Sequence, residues 1–439
     1  MNKILIKNIN IVDPIDGIKE NFDILIEEEY IKGVERNIDS ENSLIIDGKG
    51  KYAFPGFIDL HTHLREPGFE DKEDIESGSM AGVHGGFVAL CCMPNTNPPL
   101  DNAGLIRYIK EKSKTCGILD IYPIGTITKE RKGETLSEIG DMVEAGAVAI
   151  SDDGNWVTNS LLMRMALEYS ITFDIPVISH CEDEFLVKYG YAHENSETII
   201  RGIYGRPKEA EIIAIFRDIT LAKKTKGKLH IAHLTTKEGL EIIKKAKEEG
   251  VNVTCEVTPH HISLTFESIL NYDPEAKVYP PLREEEDRIA LIEGIKSGII
   301  DFLATDHAPH LKFEKEMEFE IAPPGISGLE TAFSIYYENL VLKNNLPLKN
   351  LSILLSYNPA KFLKLQKNGR IKEGFFASIT IVDLNKKWIC DPKKFYSKGK
   401  NTPFKGKEMI GKILYTFVKG KMFCFEYELK KEEKNERKS

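Results

Sequence analysis

The sequence predicts an α/β protein, a (β/α)8 TIM-like barrel joined to a small composite β-sandwich domain built from both termini. Two observations lead to this prediction. Between residues 53 and 365, eight short apolar runs rich in β-branched residues alternate with helical segments, as parallel strands joined by crossover helices do. In residues 1–52 and 366–439 the chain has strand-like runs without helices. We expect the two terminal segments to form one domain and residues 53–365 another.

The runs expected to form the barrel are residues 57–61, 87–92, 119–126, 147–153, 176–181, 228–234, 251–258 and 299–307. The segments between them show helical periodicity. In residues 235–250, Leu240, Ile243 and Ala246 recur on one helix face, and Gly250 follows as a stop signal. Residues 283–298 repeat this arrangement, with acidic residues in the first turn and a glycine at the end.

The terminal domain is predicted from residues 4–12, 22–34 and 43–47 together with residues 375–384 and 413–429. These runs are rich in isoleucine, valine and aromatic residues, which favour strands, and turn sequences separate them. Residues 430–439 are almost all charged, and we expect them to fray.

Composition and charge limit the classes of partner. With 41% hydrophobic and 29% charged residues, the 439-residue chain is globular in composition and long enough to bury a large core. Its net charge of −9 and the lack of a basic block argue against a nucleic-acid partner. No apolar run is long enough to span a membrane. The seven scattered cysteines indicate reduced thiols and a cytoplasmic location.

His61 and His63 end the first expected barrel strand. Side chains at i and i+2 of a strand point to the same side, so these two imidazoles can bind one divalent metal. The pair alone is weak evidence, because a histidine at a strand end is often only a hydrogen-bonded polar terminus.

The other expected strands end in the same kinds of residue. In a (β/α)8 barrel, catalytic residues lie at the carboxyl ends of the strands. The further candidates at those ends are Asp152, Asp153, His180, His233, Asp306, His307 and His310. Their recurrence at one rim of the barrel predicts a metal site.

These candidates exceed the needs of one catalytic zinc, which normally has three protein ligands and an open position. The surplus predicts two metals with a bridging carboxylate, a pair that lowers the pKa of water and polarises a carbonyl. By position, either Asp152 or Asp153 can be the bridge, since strand alternation turns only one of them inward. Asp306, the acid at the end of the eighth strand, is the candidate proton shuttle.

Eight motifs, in order along the chain, resemble the amidohydrolase superfamily and are most similar to its class I dihydroorotases. They are DLHTHLREPG, MPNTNPP, SDDG, SHCED, EVTPHH, PPLR, ATDHAPH and GLETAF. The resemblance covers the whole expected barrel, and the terminal strands are similar to the composite sandwich of the family. Related hydantoinases, dihydropyrimidinases and allantoinases have a carboxylated lysine at the bridging position, where this sequence has SDDG.

The resemblance implies two Zn²⁺ per chain, with His61 and His63 on one zinc and His180 and His233 on the other. It selects Asp153 as the bridge. Asp306 would bind the first zinc and act as the catalytic general base and then acid.

The resemblance also implies a site for a small ring that bears a carboxylate. Arg65 suits the anion, because a guanidinium forms strong hydrogen bonds to carboxylates. The sequence departs from the family at Tyr279, where asparagine is usual, and at Pro324, where a bulkier apolar residue is usual. The full set of implied substrate-binding residues is His63, Arg65, Asn95, Tyr279, His310, Pro324 and Gly325.

The activity implied by the resemblance is dihydroorotase, the zinc-dependent interconversion of L-dihydroorotate and N-carbamoyl-L-aspartate in pyrimidine (UMP) biosynthesis. One alternative is a cyclic amidohydrolase of the allantoinase or hydantoinase type, against which Arg65 and SDDG argue. Another is an inactive scaffold for aspartate transcarbamoylase, against which the presence of all six implied ligands argues. The sequence leaves open whether the chain forms a homodimer and whether it forms a complex with aspartate transcarbamoylase.

Overall fold

A computed structural model describes residues 3–425, and it confirms the predicted fold class. The strands in this range are β1 (Lys3–Asp13), β2 (Gly17–Glu27), β3 (Tyr30–Glu35), β4 (Leu44–Asp47), β5 (Tyr52–Pro55), β6 (Phe57–Thr62), β7 (Phe87–Cys92), β8 (Asp120–Gly125), β9 (Ala149–Ser151), β10 (Val177–Ser179), β11 (Ala192–His193), β12 (Gly205–Arg206), β13 (Leu229–Ile231), β14 (Val253–Val257), β15 (Phe302–Leu303), β16 (Ile379–Ile389), β17 (Glu408–Val418) and β18 (Lys421–Cys424).

The α-helices in this range are α1 (Ile75–His84), α2 (Ala103–Cys116), α3 (Ile139–Glu144), α4 (Ser160–Phe173), α5 (Glu184–Val187), α6 (Ser196–Ile200), α7 (Lys208–Thr225), α8 (Lys237–Glu248), α9 (Pro259–Ser263), α10 (Glu285–Lys296), α11 (Lys312–Lys315), α12 (Ala332–Tyr336), α13 (Leu348–Ser352) and α14 (Asn358–Phe362). The Leu240, Ile243 and Ala246 face of α8 is buried, as its spacing predicts. Thr236 caps the N-terminus of α8, because its side chain accepts a hydrogen bond from Gly239 N, and Gly250 follows the end of the helix with φ +76°.

The barrel sheet runs β6–β7–β8–β9–β10–β13–β14–β15, and each of the eight predicted strands overlaps one of these. All neighbouring pairs are parallel. A parallel bridge between Thr62 and His307 connects β6 to the segment after β15, and His63 N donates to His307 O at 2.8 Å. The side chains that fill the barrel interior are Leu60, Cys91, Met93, Ile124, Ala149, Ile178, Ala232 and Phe302.

A buried carboxylate reinforces this closure. Asp59, in β6, accepts hydrogen bonds from His61 N at 3.1 Å and from Thr305 N at 3.1 Å, and Thr305 Oγ1 donates to it at 2.5 Å. Burial raises the pKa of Asp59 to about 7. One side chain thus links the first barrel strand to the segment that leads to Asp306.

The terminal strands form a second sheet in the order β18–β17–β16–β5–β1–β2–β3, with β4 paired to β1. The antiparallel pairing of β5 with β16 joins sequence from both termini, as predicted. This sheet has its own apolar cluster, which includes Ile6, Ile24, Ile379 and Phe417. The division into domains at residues 52/53 and 365/366 stays a prediction, and β5 lies across the first of these boundaries.

Gly56 separates the two sheets, because it stands between β5 and β6. A Cβ at this position would lie 2.3 Å from Val88 Cγ1, so the turn from one sheet to the other requires a residue without a side chain.

The seven cysteines, all within the described residues, are unpaired, and five of them are buried. Within residues 3–425, no helix combines the length and the apolar character that crossing a membrane requires. The predicted fraying of residues 430–439 concerns sequence outside the described residues.

We predict that Phe57→Ala will destabilise the fold by about 3–5 kcal/mol, the usual cost of truncating a buried phenylalanine. Phe57 is fully buried, and its ring lies 5.9, 5.8 and 5.5 Å from those of Phe54, Phe87 and Phe333. The midpoint of urea unfolding measures the effect. The matched control is Phe216→Ala on α7, where the side chain is 62% exposed; equal midpoints for the two variants would contradict the prediction.

Candidate metal centre and substrate pocket

His61 and His63 are buried at the carboxyl end of β6, and each is oriented by a partner on one ring nitrogen. His61 Nδ1 donates to Glu256 Oε1 at 2.7 Å, and His63 Nδ1 donates to Asn95 Oδ1 at 2.8 Å. Hydrogen bonds of this kind fix the tautomer and ring orientation of a metal-binding histidine. The Nε2 atoms of both rings are therefore left for the centre of the site.

Two carboxylates lie opposite these Nε2 atoms. Asp153 Oδ1 is 3.4 Å from His61 Nε2, and Asp153 Oδ2 is 3.5 Å from His63 Nε2. Asp306 Oδ1 is 3.1 Å from His63 Nε2 and 3.6 Å from His61 Nε2. Each carboxylate thus spans both imidazoles.

His180 and His233 also lie close to Asp153, beside the oxygen that faces His61. His180 Nδ1 is 3.6 Å and His233 Nε2 is 3.7 Å from Asp153 Oδ1, and the two ring nitrogens are 2.9 Å apart. Asp153 is therefore in contact with four imidazoles. The structure brings together all six residues that the sequence analysis proposes as ligands.

Asp152 points away from this cluster. Its Oδ1 accepts hydrogen bonds from Ile127 N at 2.9 Å and Thr128 N at 3.0 Å, and its Oδ2 accepts one from Thr128 Oγ1. The Asp152 side chain thus connects the segments that follow β8 and β9. Of the two adjacent aspartates, only Asp153 faces the histidines.

The close carboxylates and imidazoles shift one another's pKa values. Burial works against ionisation of Asp153, but the surrounding histidines, His61 first, hold the pKa of its carboxyl well below the usual range. Burial likewise opposes the charge on His61, but Asp153 raises the pKa of this imidazole well above its ordinary value. Perturbed pKa values of this kind cluster at functional sites. A metal binds imidazole in its neutral form, so a cation bound here would replace the proton that Asp153 favours on His61.

The donor set fits a divalent metal. Among the buried polar atoms of the described residues that lack a hydrogen-bond partner are His61 Nε2 and Asp153 Oδ1. Two groups, His61–His63–Asp306 and His61–Asp153–His233, each place three potential ligand atoms within 4.8 Å of one another. Imidazole nitrogens and carboxylate oxygens are the ligands of catalytic zinc. His233 and Asp306 also have left-handed backbone, with φ values of 31° and 46°, a strain typical of functional sites.

A cavity of about 260 Å³ opens beside the cluster. Arg65 lines it, with Nε donating to Pro309 O at 3.2 Å and Nη2 lying 3.3 Å from His310 Nε2. That His310 nitrogen donates to Pro324 O at 2.9 Å. All the substrate-binding residues proposed from the sequence line the cavity, namely His63, Arg65, Asn95, Tyr279, His310, Pro324 and Gly325.

Arg206 lines the same cavity, and sequence reasoning missed it. Its guanidinium lies 3.7 Å from the centre of the Tyr279 ring and donates through Nε to Glu182 Oε1 at 3.0 Å. Glu182 Oε2 is in turn 3.5 Å from His180 Nε2. Tyr279 donates through its hydroxyl to Gly190 O at 3.2 Å. A stacked and hydrogen-bonded tyrosine therefore forms this wall of the pocket.

Sequence reasoning also missed Glu256 as the partner of His61, although it stands in the EVTPHH motif at the end of β14. Glu182 had a comparable signal, because it follows His180 in SHCED. His307, a ligand candidate by position, is instead buried 3.2 Å from Glu73, outside the cluster.

Comparison with known proteins identifies the family. A dihydro-orotase-like family model matches residues 50–239. The dihydroorotase of Caldicellulosiruptor saccharolyticus is 49% identical over 421 residues, which cover 95% of this chain and 98% of that protein. The dihydroorotase of Aquifex aeolicus is 48% identical over 422 residues, covering 96% of this chain and 99% of that protein. The chain belongs to the dihydroorotase family.

Solved structures place this dihydroorotase-family chain among related amidohydrolase folds. L-hydantoinase from Arthrobacter aurescens superposes with a TM-score of 0.86 at 26% identity, covering 97% of this chain and 96% of that one. Dihydropyrimidinase from Brevibacillus agri has a TM-score of 0.84 at 22% identity, covering 96% and 95%, and shows the shared fold. The chain is thus a metal-dependent cyclic amide hydrolase of the dihydroorotase family, as its motifs predict.

We predict that Glu256→Gln will lower metal affinity by about 10–100-fold, the usual effect of removing a partner that orients a metal-binding histidine. The amide keeps the shape of the side chain but loses the charge that holds His61 Nδ1. Zinc retained during dialysis against a graded chelator measures the effect. Glu241→Gln, on the exposed face of α8, is the control, and identical zinc retention in the two variants would refute the prediction.

Proposed function

We propose that this enzyme interconverts L-dihydroorotate and N-carbamoyl-L-aspartate, a step of pyrimidine (UMP) synthesis. The observation that carries the proposal is near-full-length identity of 44–49% to several proteins named dihydroorotase. The cluster of four imidazoles around an aspartate supports it, since no lysine takes the central position.

We propose that the cluster holds two Zn²⁺. His61, His63 and Asp306 would hold one, His180 and His233 the other, and Asp153 would bridge them. Zinc held there would supply Lewis acidity, which lowers the pKa of water and polarises the amide carbonyl.

Asp306 is the proposed general base and acid. It lines the cavity, and its carboxylate lies 3.1 Å from His63 Nε2. Burial opposes its ionisation, but His63 and the other imidazoles keep the pKa of Asp306 below its usual range, so it is ionised at neutral pH. In hydrolysis it would accept the proton of the attacking water and pass it to the departing amide nitrogen.

Arg65 is the proposed partner of the substrate carboxylate. Its guanidinium is mostly buried and forms no ion pair with a carboxylate of residues 3–425; its polar contacts are Pro309 O and His310 Nε2. A buried cation without a counter-ion is costly, and a bound carboxylate supplies one. Asn95 and His310 line the same cavity and would complete the carboxylate pocket.

In the ring-closing direction, the pocket would hold the carboxyl and ureido groups of N-carbamoyl-L-aspartate at bonding distance. The small cavity, about 260 Å³, limits the extended conformations that the open substrate can adopt. Pro324 and Gly325 would contribute main-chain contacts along one wall.

Turnover of L-dihydroorotate by the zinc-loaded chain, compared with allantoin and hydantoin, tests the proposal. We expect dihydroorotate to have the highest kcat/KM by a wide margin. Faster turnover of hydantoin or allantoin would replace the proposal by the activity of the hydantoinase-like structural neighbours. Inactivity towards all three at full zinc occupancy would favour a scaffold role.

A homodimer and a complex with aspartate transcarbamoylase are proposed as assemblies. Exposed apolar side chains around α5 and α6 support a protein-binding surface; Phe185, Tyr189, Ile200 and Tyr204 are 73%, 70%, 76% and 63% exposed. Light scattering of the chain, alone and mixed with aspartate transcarbamoylase, decides between monomer, dimer and complex. The unpaired cysteines support the proposed cytoplasmic location.

We predict that Asp306→Asn will lower kcat in both directions by at least about 10²-fold, within the usual range for general acid–base catalysis, while most of the zinc is retained. An amide cannot accept the proton. Steady-state assays in both directions, paired with metal analysis, measure this. Asp174→Asn, at a position where the side chain is 61% exposed, is the control. Wild-type turnover by Asp306→Asn would exclude it from the reaction.

We predict that Arg65→Met will raise KM for dihydroorotate roughly 10- to 100-fold, the usual worth of a hydrogen bond to a charged group, with a smaller effect on kcat. Methionine fills the space but cannot pair with an anion. The control is Arg164→Met on the surface of α4, where the arginine side chain is 48% exposed. An unchanged KM for Arg65→Met would mean that the carboxylate binds elsewhere.

A further inference from the structure

One wall of the substrate pocket is an irregular segment, residues 319–325, which ends in Pro324 and Gly325. We call this segment the rim. Irregular backbone has no neighbouring strand or helical turn to satisfy its carbonyl groups, so other donors must do so. In the rim, these donors are side chains.

Lys277 supplies three of the hydrogen bonds. Its Nζ donates to Phe319 O at 2.7 Å, Glu320 O at 3.0 Å and Ala322 O at 2.8 Å. Its own carbonyl accepts from Gly325 N at 2.8 Å. One residue thus contacts the rim at both ends and uses all three ammonium donors.

Lys315 supplies two more. Its Nζ donates to Pro323 O at 2.9 Å and Gly325 O at 3.2 Å. His310 donates to Pro324 O, and Asn401 Nδ2 donates to Gly325 O at 2.9 Å. Of the rim carbonyls, only that of Ile321 is without one of these side-chain donors.

Both lysines are unusually costly to bury. Lys277 is 2% exposed and Lys315 is 3% exposed, and neither ammonium forms an ion pair with a carboxylate of the described residues. The Lys277 ammonium lies instead among three aromatic rings, 5.2 Å from Tyr191, 5.8 Å from Tyr279 and 5.3 Å from Phe319. Buried ammonium groups of this kind are rare unless their hydrogen bonds have a specific role.

We propose that Lys277 and Lys315 are positioning residues for the substrate, which hold the rim so that Pro324 and Gly325 form one wall of the pocket. The proposal deepens the proposed function and rests on it for the identity of the substrate. Neither lysine lines the cavity, so both act through the backbone that they bind.

The hydrogen bonds from the lysine side chains to the rim carbonyls depend on pH, because the number of N–H donors changes when a lysine loses its proton. Burial lowers the pKa of both Lys277 and Lys315 to about 8. Above that pH a lysine becomes a neutral amine with two N–H donors, one fewer than the carbonyls that Lys277 holds. The ionisable and charged groups near the two lysines are Arg206, Glu320, Tyr191 and Tyr279 around Lys277, and Glu275, Asp273, Glu314 and Lys277 around Lys315.

The test uses Lys277→Met and Lys315→Met in the zinc-loaded, full-length chain. We expect faster amide hydrogen exchange in the peptide that covers the rim, unchanged zinc content, and a KM for dihydroorotate raised about tenfold with a smaller change in kcat. In the wild-type enzyme we expect KM to rise above pH 8. This rise should be weaker in Lys277→Met and should persist in Lys315→Met, because Lys277 donates to three carbonyls and Lys315 to two.

The matched control is Lys312→Met, since Lys312 is in the same helix as Lys315 but is 87% exposed. If a methionine variant does not fold, Lys277→Gln and Lys315→Gln keep an amide donor, and we expect intermediate exchange and KM. Wild-type rim exchange in folded variants would overturn the proposal, as would a fall in kcat with unchanged KM. Hydrogen exchange needs no substrate, so inactivity of the wild type towards dihydroorotate would count against the proposed function alone.

Discussion

The structure depends on the connection between the first and last strands of the barrel. Asp59, inside β6, accepts hydrogen bonds from Thr305, and His63 N donates to His307 O across the closure. Residues 61 and 306 are far apart in sequence, yet this connection places Asp306 beside His61 and His63. Because the bonds are buried, they are not weakened by competition with water. The carboxyl ends of the barrel strands therefore form a closed ring on which side chains converge.

Asp153 is at the centre of that ring. A lone buried carboxylate would be costly, but four imidazoles surround it, and the pKa of its carboxyl lies well below the usual range although burial opposes ionisation. The outer contacts of the imidazoles are fixed in turn, His61 by Glu256 and His180 by Glu182. Support of this kind fixes the orientation of the imidazole rings in the cluster.

The walls of the substrate pocket are likewise held in position by residues that contact them. Arg206 stacks on Tyr279 and is paired with Glu182, so the tyrosine that departs from the family pattern has a defined position. Another wall is irregular backbone whose carbonyls accept hydrogen bonds from side-chain donors. The pocket is therefore shaped largely by groups that lie outside it, which act through the backbone and through aromatic stacking.

The sequence by itself determined the order and number of barrel strands, the buried face of α8 and the pairing of His61 with His63 on one side of β6, because each follows from a local period of two or 3.6 residues. Family motifs indicated the rest of the cluster. The resemblance had selected Asp153 over Asp152, and the tertiary structure supplied the reason, since Asp152 turns to Thr128. Only the tertiary structure decided that Glu256 orients His61 and that Arg206 and two buried lysines shape the pocket. These contacts join residues from different strands and loops, and no local pattern records which segments become neighbours when the barrel closes.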